Sequence, residues 1–141
     1  MLFSQNRAEL RGFYTATWRK MQTGEALEPL EKQVADVIGE HPEYHRQLEQ
    51  GESGIDRDFA PEDGQINPFL HMSMHLALRE QVGTDRPAGI AMITRSLLLK
   101  HGDGHTVEHM MLDCLGEMLW NAQRANTLPD ETAYMECLRQ L

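Results

Sequence analysis

The stretch from Asn67 to Gln81, NPFLHMSMHLALREQ, constrains the fold more than any other. It opens on a polar residue followed by Pro, the pairing of a helix N-cap with a first helical position whose missing N–H is not needed. Phe69, Met72 and Leu76 fall on one line of such a helix, Leu70, Met74 and Ala77 on a second, and His71, Leu78 and Val82 on a third. A helix that is apolar nearly all round is a buried helix. Polarity arrives only at Arg79, Glu80 and Gln81.

The rest of the chain supplies helices to bury it. Ser4 is placed to cap a first helix reaching about Gln22, with Leu10, Phe13, Tyr14, Thr17, Trp18 and Met21 inward and Arg7, Arg11 and Arg19 on the wet side. Glu28-Pro29 opens a second, striped by Leu27, Leu30, Val34, Val37 and Ile38, with Gly39 as its stop. His41-Pro42 starts a short third, in which His41 reads as the N-cap and His45 as a surface neighbour, and Gly51 closes it. Asp85 caps a fifth, with Arg86 and Pro87 in its first turn and Ile90, Ile93 and Leu97 to Leu99 on its core face. A sixth begins near Asp103 to His105 and runs to about Asn126 on Val107, Met111, Cys114, Met118 and Ala122. The last presents Tyr134, Cys137, Leu138 and Leu141.

No segment alternates apolar and polar residues between turns as strands do. The fold class is therefore all-α: a compact bundle of six or seven helices, in a single domain over residues 1–141. Residues 51–66, GESGIDRDFAPEDGQI, read as a long acidic loop. Asp56 and Asp58 resemble the start of a calcium loop, but Ala60 and Pro61 stand where an EF-hand needs an oxygen ligand and its glycine.

Charge narrows the partners. The net charge is −9, and the ten arginines and three lysines form no basic run. Counterion release needs clustered cations facing phosphates, so nucleic acid is excluded as a partner, and so is an anionic membrane surface. No apolar run reaches the length of a membrane helix, and the N-terminus lacks the pattern of a signal peptide. Cys114 and Cys137 have no metal-ribbon spacing, and in a chain able to bury a core they read as reduced thiols. The expected compartment is the cytoplasm, with a homo-oligomer or protein partner left open.

Seven histidines, at 41, 45, 71, 75, 101, 105 and 109, give four pairs spaced by four residues. That spacing on a helix sets two imidazoles on one face, about 5–6 Å apart at Cβ. Two such rings can meet one divalent metal at about 2.0–2.1 Å each, and two facing helices can supply four ligands. His71 and His75 with His105 and His109 are the candidate set for zinc, iron or manganese, with Glu108 as an outer or acid–base group. The pattern HTVEH at His105 to His109 matches the H-x-x-E-H of inverted zinc peptidases, but the chain is too short for their usual domain. The other outcome is a non-enzymatic interaction or structural module in which the histidines only satisfy the core. His105, His109, Asp113 and Glu117 then form a solvated face. No phosphate loop, dinucleotide fingerprint or nucleophile elbow is present, so no catalytic residue is assigned.

The blocks FYTATWRKMQTGEALEPLE, HPEYH, NPFLHMSMHLALREQ, DRPAGI and HTVEHMMLDCLGEMLWNAQR together resemble the bacterial domain-of-unknown-function family numbered 1841. The resemblance covers nearly the whole chain. It implies a small stand-alone bacterial protein and carries no activity or catalytic residue to transfer.

Overall fold

Proline opens three of the helical segments, at Pro29, Pro42 and Pro68, in the computed structural model, which describes residues 7–50 and 67–141. Ser4 and the stretch 51–66 lie outside the described residues. Seven α-helices occur among those that are described: α1 (Arg7–Thr23), α2 (Pro29–Gly39), α3 (His45–Glu49), α4 (Pro68–Thr84), α5 (Ile90–His101), α6 (Gly104–Ala125) and α7 (Glu131–Arg139). A 3-10 turn, Pro42–Tyr44, precedes α3. No strand occurs among the described residues, so the all-α expectation holds. No helix there is long and apolar enough to cross a membrane.

The chain divides into two units, Met1–Leu76 and Ala77–Leu141, and the division falls within α4. In the first unit α1 packs on α2 and α3. Its core is built from Tyr14 and Trp18 of α1, Val34, Val37 and Ile38 of α2, Leu48 of α3, and Phe69, Met72 and Leu76 of α4. Val34, Val37 and Ile38 are the stripe expected of α2, whereas Leu30 points outward and Glu31 takes the inward position beside them. Glu31 does two jobs there. Its Oε1 accepts from the Glu28 backbone N–H at 2.8 Å, closing the first turn, and its carboxylate pairs with Lys20 Nζ at 2.9 Å. The Glu28 hydrogen bond first, and Lys20 second, hold the Glu31 carboxyl below its ordinary value. Arg11 departs from its expected wet position: it is buried, with its guanidinium 4.9 Å from the centre of the Phe69 ring. A weakly hydrated guanidinium tolerates an aromatic face better than an ammonium would.

In the second unit α6 packs against both α5 and α7. Val107, Met111, Cys114 and Ala122 of the expected α6 stripe are buried, with Met118 half-buried and Leu115 buried beside them. On α7 Tyr134 and Leu138 are buried as expected, Cys137 and Leu141 are half-buried, and Met135 takes a buried place that was not expected. Helix α5 begins at Ile90, later than the sequence suggests, because Asp85 reaches across the turn instead of capping directly. Its Oδ1 accepts from Gly89 N at 3.1 Å and Ala91 N at 3.0 Å. Gly89 sits at φ +99, where a side chain would be strained. Asp103 caps α6 with Oδ2, accepting from Thr106 N at 3.1 Å and from its hydroxyl at 2.6 Å. The apolar run at the end of α5 is only part core: Leu97 is buried but Leu99 is 90% exposed.

The cysteines correct an expectation. Cys114 of α6 and Cys137 of α7 form a disulfide, with Cα atoms 5.8 Å apart. Reduced thiols were expected because the chain can bury a core without a crosslink. The packing of α7 on α6 nevertheless brings two inward-facing positions within bonding reach.

Candidate metal centre

Three histidine side chains of the first unit meet at one place, and each arrives for a local reason. Asn67 caps α4: its Oδ1 accepts from Phe69 N at 3.0 Å and from Leu70 N at 3.1 Å. Pro68 is the first helical residue. That start fixes the phase of α4, so that His71 and His75 lie one turn apart on the same side as the buried Met72 and Leu76. Their Nε2 atoms are 3.0 Å apart, and the rings meet edge to face with centroids 4.7 Å apart. His75 is fully buried and His71 half-buried.

Behind them, between the same two residues of α4, Ser73 is held by Tyr14 through a hydroxyl–hydroxyl hydrogen bond of 2.7 Å. Both side chains are fully buried. Burial, against the weaker opposing effect of the Ser73 hydrogen bond, pushes the Tyr14 phenol up to about 12. Tyr14 therefore stays a neutral hydrogen-bonding anchor for the middle of this histidine-bearing turn.

His41 is the third member, and spacing missed it. His-Pro reads as an N-cap followed by the first helical residue, but no side-chain cap bond forms there. The ring turns inward and is 3% exposed. Its Nδ1–H donates to the Val37 carbonyl at 2.8 Å. A carbonyl only accepts, so Nδ1 carries a proton, and Nε2 is the ligating atom of the neutral ring. Ligating histidines are commonly oriented in this way, with the far N–H on a backbone carbonyl. The His41 ring lies 4.6 Å from that of His75 and 5.2 Å from that of His71, centroid to centroid. One ligating nitrogen from each of the three lies within 4.8 Å of the others.

The surroundings are aromatic. Tyr44 stacks parallel to His41 at 5.6 Å and stands edge-on to His71 at 6.1 Å. His45, expected at the surface, donates Nε2–H to the Ile38 carbonyl at 2.8 Å and lies against Trp18 at 4.3 Å. Two consecutive turns after α2 are thus closed by histidines bonding back to its last carbonyls.

The other expected ligands belong to the second unit. His105 and His109 form their own pair on α6, with rings 4.3 Å apart, and His109 Nδ1–H donates to the His105 carbonyl at 2.9 Å. His105 is exposed and His109 half-buried. Glu108 is committed elsewhere: its Oε1 and Oε2 accept from Arg79 Nε at 3.1 and 3.3 Å, and Oε1 also accepts from Nη2 at 2.9 Å. A carboxylate clamped by a planar guanidinium is a poor general base, because the same lone pairs would have to receive the proton. Asp113 and Glu117 are exposed, as expected of a solvated face.

A tetrahedral ion with ligands at 2.0–2.1 Å sets its nitrogens about 3.3 Å apart. His71 and His75 already stand near that spacing. His41 would have to close by at most about 1.5 Å, within the reach of a ring rotation. What the three rings offer is a set of imidazole donors, two of them on a rigid helix.

The family described as Domain of unknown function (DUF1841) matches residues 6–140. No curated protein and no solved structure matches the chain.

Proposed function

Because the chain belongs to the family described as Domain of unknown function (DUF1841), whose description names no activity, we propose a function from the site alone: binding of a divalent transition metal by paired and convergent histidines. One observation carries it, the convergence of ligating nitrogens from His41, His71 and His75 within 4.8 Å. Two of the three rings ride on one turn of α4, and His41 meets them with its Nδ1–H already held by the Val37 carbonyl. His105 and His109 remain donors proposed from their spacing, and substitution decides whether they take part. No catalytic role is proposed.

The test is metal analysis of protein purified without a histidine tag. The expected result is about one equivalent of zinc, iron or manganese, lost in His71→Ala and His41→Ala. His105→Ala and His109→Ala are read in parallel: loss of metal enlists them, and retention assigns the site to the first unit's histidines. Metal-free protein whose melting temperature does not respond to added zinc or manganese would refute metal binding.

A second function draws on the 3.0 Å contact between the Nε2 atoms of His75 and His71. One ring can donate to the other, so the pair can serve a core without metal, in a protein that acts only through partners. That outcome predicts the metal-free result above, together with self-association or a captured partner in light scattering and pull-down.

A further inference from the structure

Three features of the cluster bear on which ion it takes and for what purpose. The donor set is entirely imidazole: the convergent group among the described residues contains no carboxylate or thiolate. Glu108, the acid that the sequence offered as an outer group, is held by Arg79 in a two-pronged ion pair. Two of the three ligands are also buried, His75 at 0% and His41 at 3% exposure, and His71 is half-buried. Finally, they come from two distant parts of the chain. His41 is fixed to the end of α2 by its bond to Val37, whereas His71 and His75 ride on α4.

Resting on the metal-binding function proposed above, we infer that the centre takes a late first-row, nitrogen-preferring ion, zinc above all, and uses it to fasten the end of α2 to α4. Hard cations are disfavoured by this donor set. Manganese, magnesium and calcium prefer carboxylate, carbonyl and water oxygens, while imidazole suits zinc, copper, nickel and iron. Affinity for nitrogen donors rises along the first-row series, so manganese stands at its weak end. The fastening role follows from burial and connectivity. An ion bridging His41 to His71 and His75 closes the chain between them, and closure of that length removes conformational freedom mainly from the unfolded state. Structural metal sites of this kind stabilise the fold in proportion to their binding.

The experiment uses the full chain, stripped with chelator and dialysed without oxygen against zinc, cobalt(II), nickel, iron(II) or manganese at one concentration. Zinc is expected to bind at least about a hundredfold more tightly than manganese and to raise the melting temperature, which manganese leaves unchanged. Cobalt(II) is expected to give the intense visible bands of a four-coordinate site, three imidazoles and one further ligand. His41→Ala is expected to lower zinc affinity by about a hundredfold and to abolish the thermal shift. Because His75→Ala also opens a core cavity, half-buried His71→Ala carries the same test on the α4 side. Manganese or iron bound as tightly as zinc, and still lost in His71→Ala, would overturn the zinc assignment while leaving metal binding intact. Zinc binding that is indifferent to His41→Ala would overturn the fastening role. Failure of every metal to bind would remove both this inference and the function on which it rests.

Discussion

At the scale of single residues, His41 is the most instructive side chain. Its position before Pro42 follows the rule for an N-cap, and that rule is blind to what lies beneath the turn. The ring instead closes the end of α2 from inside, bonding Val37 and reaching the α4 pair. His71 and His75 were legible because one-turn spacing on an apolar helix is a local signal. His41 was not, since its approach to them depends on tertiary packing of residues 30 or more positions apart. Tyr14 illustrates the same dependence, as nothing local says that its hydroxyl meets Ser73. Tyr14→Phe removes that hydrogen bond and leaves a buried serine hydroxyl to find another, at a cost of about 1–2 kcal/mol by denaturant melting. The burial of Tyr14 also has a sign in pH. Its phenol is raised from 10.0 to about 12, so above pH 10 the unfolded chain loses this proton first and stability falls. Tyr14→Phe is expected to flatten that alkaline decline relative to the parent, and an unchanged slope between pH 10 and 12 would refute it.

At the scale of elements, helix starts were the most readable part of the sequence, since Pro at the first position and an acid or amide before it act within one turn. The starts of α2 and α4 fall where Glu28-Pro29 and Asn67-Pro68 place them. The start of α5 slips because Asp85 acts at a distance, through the amides of Gly89 and Ala91. Asp85→Ala is expected to cost about 1 kcal/mol through these two lost bonds, with Asp85→Asn retaining most of the stability. Equal losses in the two variants would place the effect in the backbone of residue 85, which stands at φ 52, and not in its side chain. On α2, Glu31 joins a helix start to α1. Its carboxyl is held below the ordinary 4.5 by the Glu28 amide and then by Lys20. A depressed carboxyl stabilises above its unfolded value, and the contribution disappears as pH falls through the lower folded value. Glu31→Gln should therefore melt below the parent at neutral pH, with the gap closing as pH falls from 4.5 downward. A gap that persists undiminished into strong acid would show that shape, and not charge, is what Glu31 contributes.

At the scale of the whole chain, the all-α class was legible because it sums many weak periodic signals, and errors at single positions such as Arg11, Leu30 and Leu99 average out. The crosslink between Cys114 and Cys137 does not average. Two cysteines 23 positions apart give no sign of pairing until α7 is seen against α6. A disulfide acts chiefly on the unfolded ensemble, shortening the excursions open to the chain between its ends. Closing a loop of this length is worth about 3 kcal/mol in the chain-entropy account. For a chain of this size that corresponds to roughly 10 °C in melting temperature. Oxidised protein is thus expected to melt that much above the Cys114→Ala, Cys137→Ala double variant, and treatment with a dithiol should bring the parent down to the variant without affecting the variant itself. Mass spectrometry of the untreated protein should find the chain two hydrogens lighter than its dithiol form. Two titratable thiols in the native protein, with one melting temperature under oxidising and reducing conditions, would mean that α6 and α7 are held by Met111, Leu115, Tyr134 and Leu138 alone. Because α7 is only nine residues long, too short to persist as an isolated helix, its protection from proteolysis after reduction separates the two cases. A C-terminal helix cleaved only when reduced depends on the crosslink, whereas one equally resistant in both states depends on its buried face.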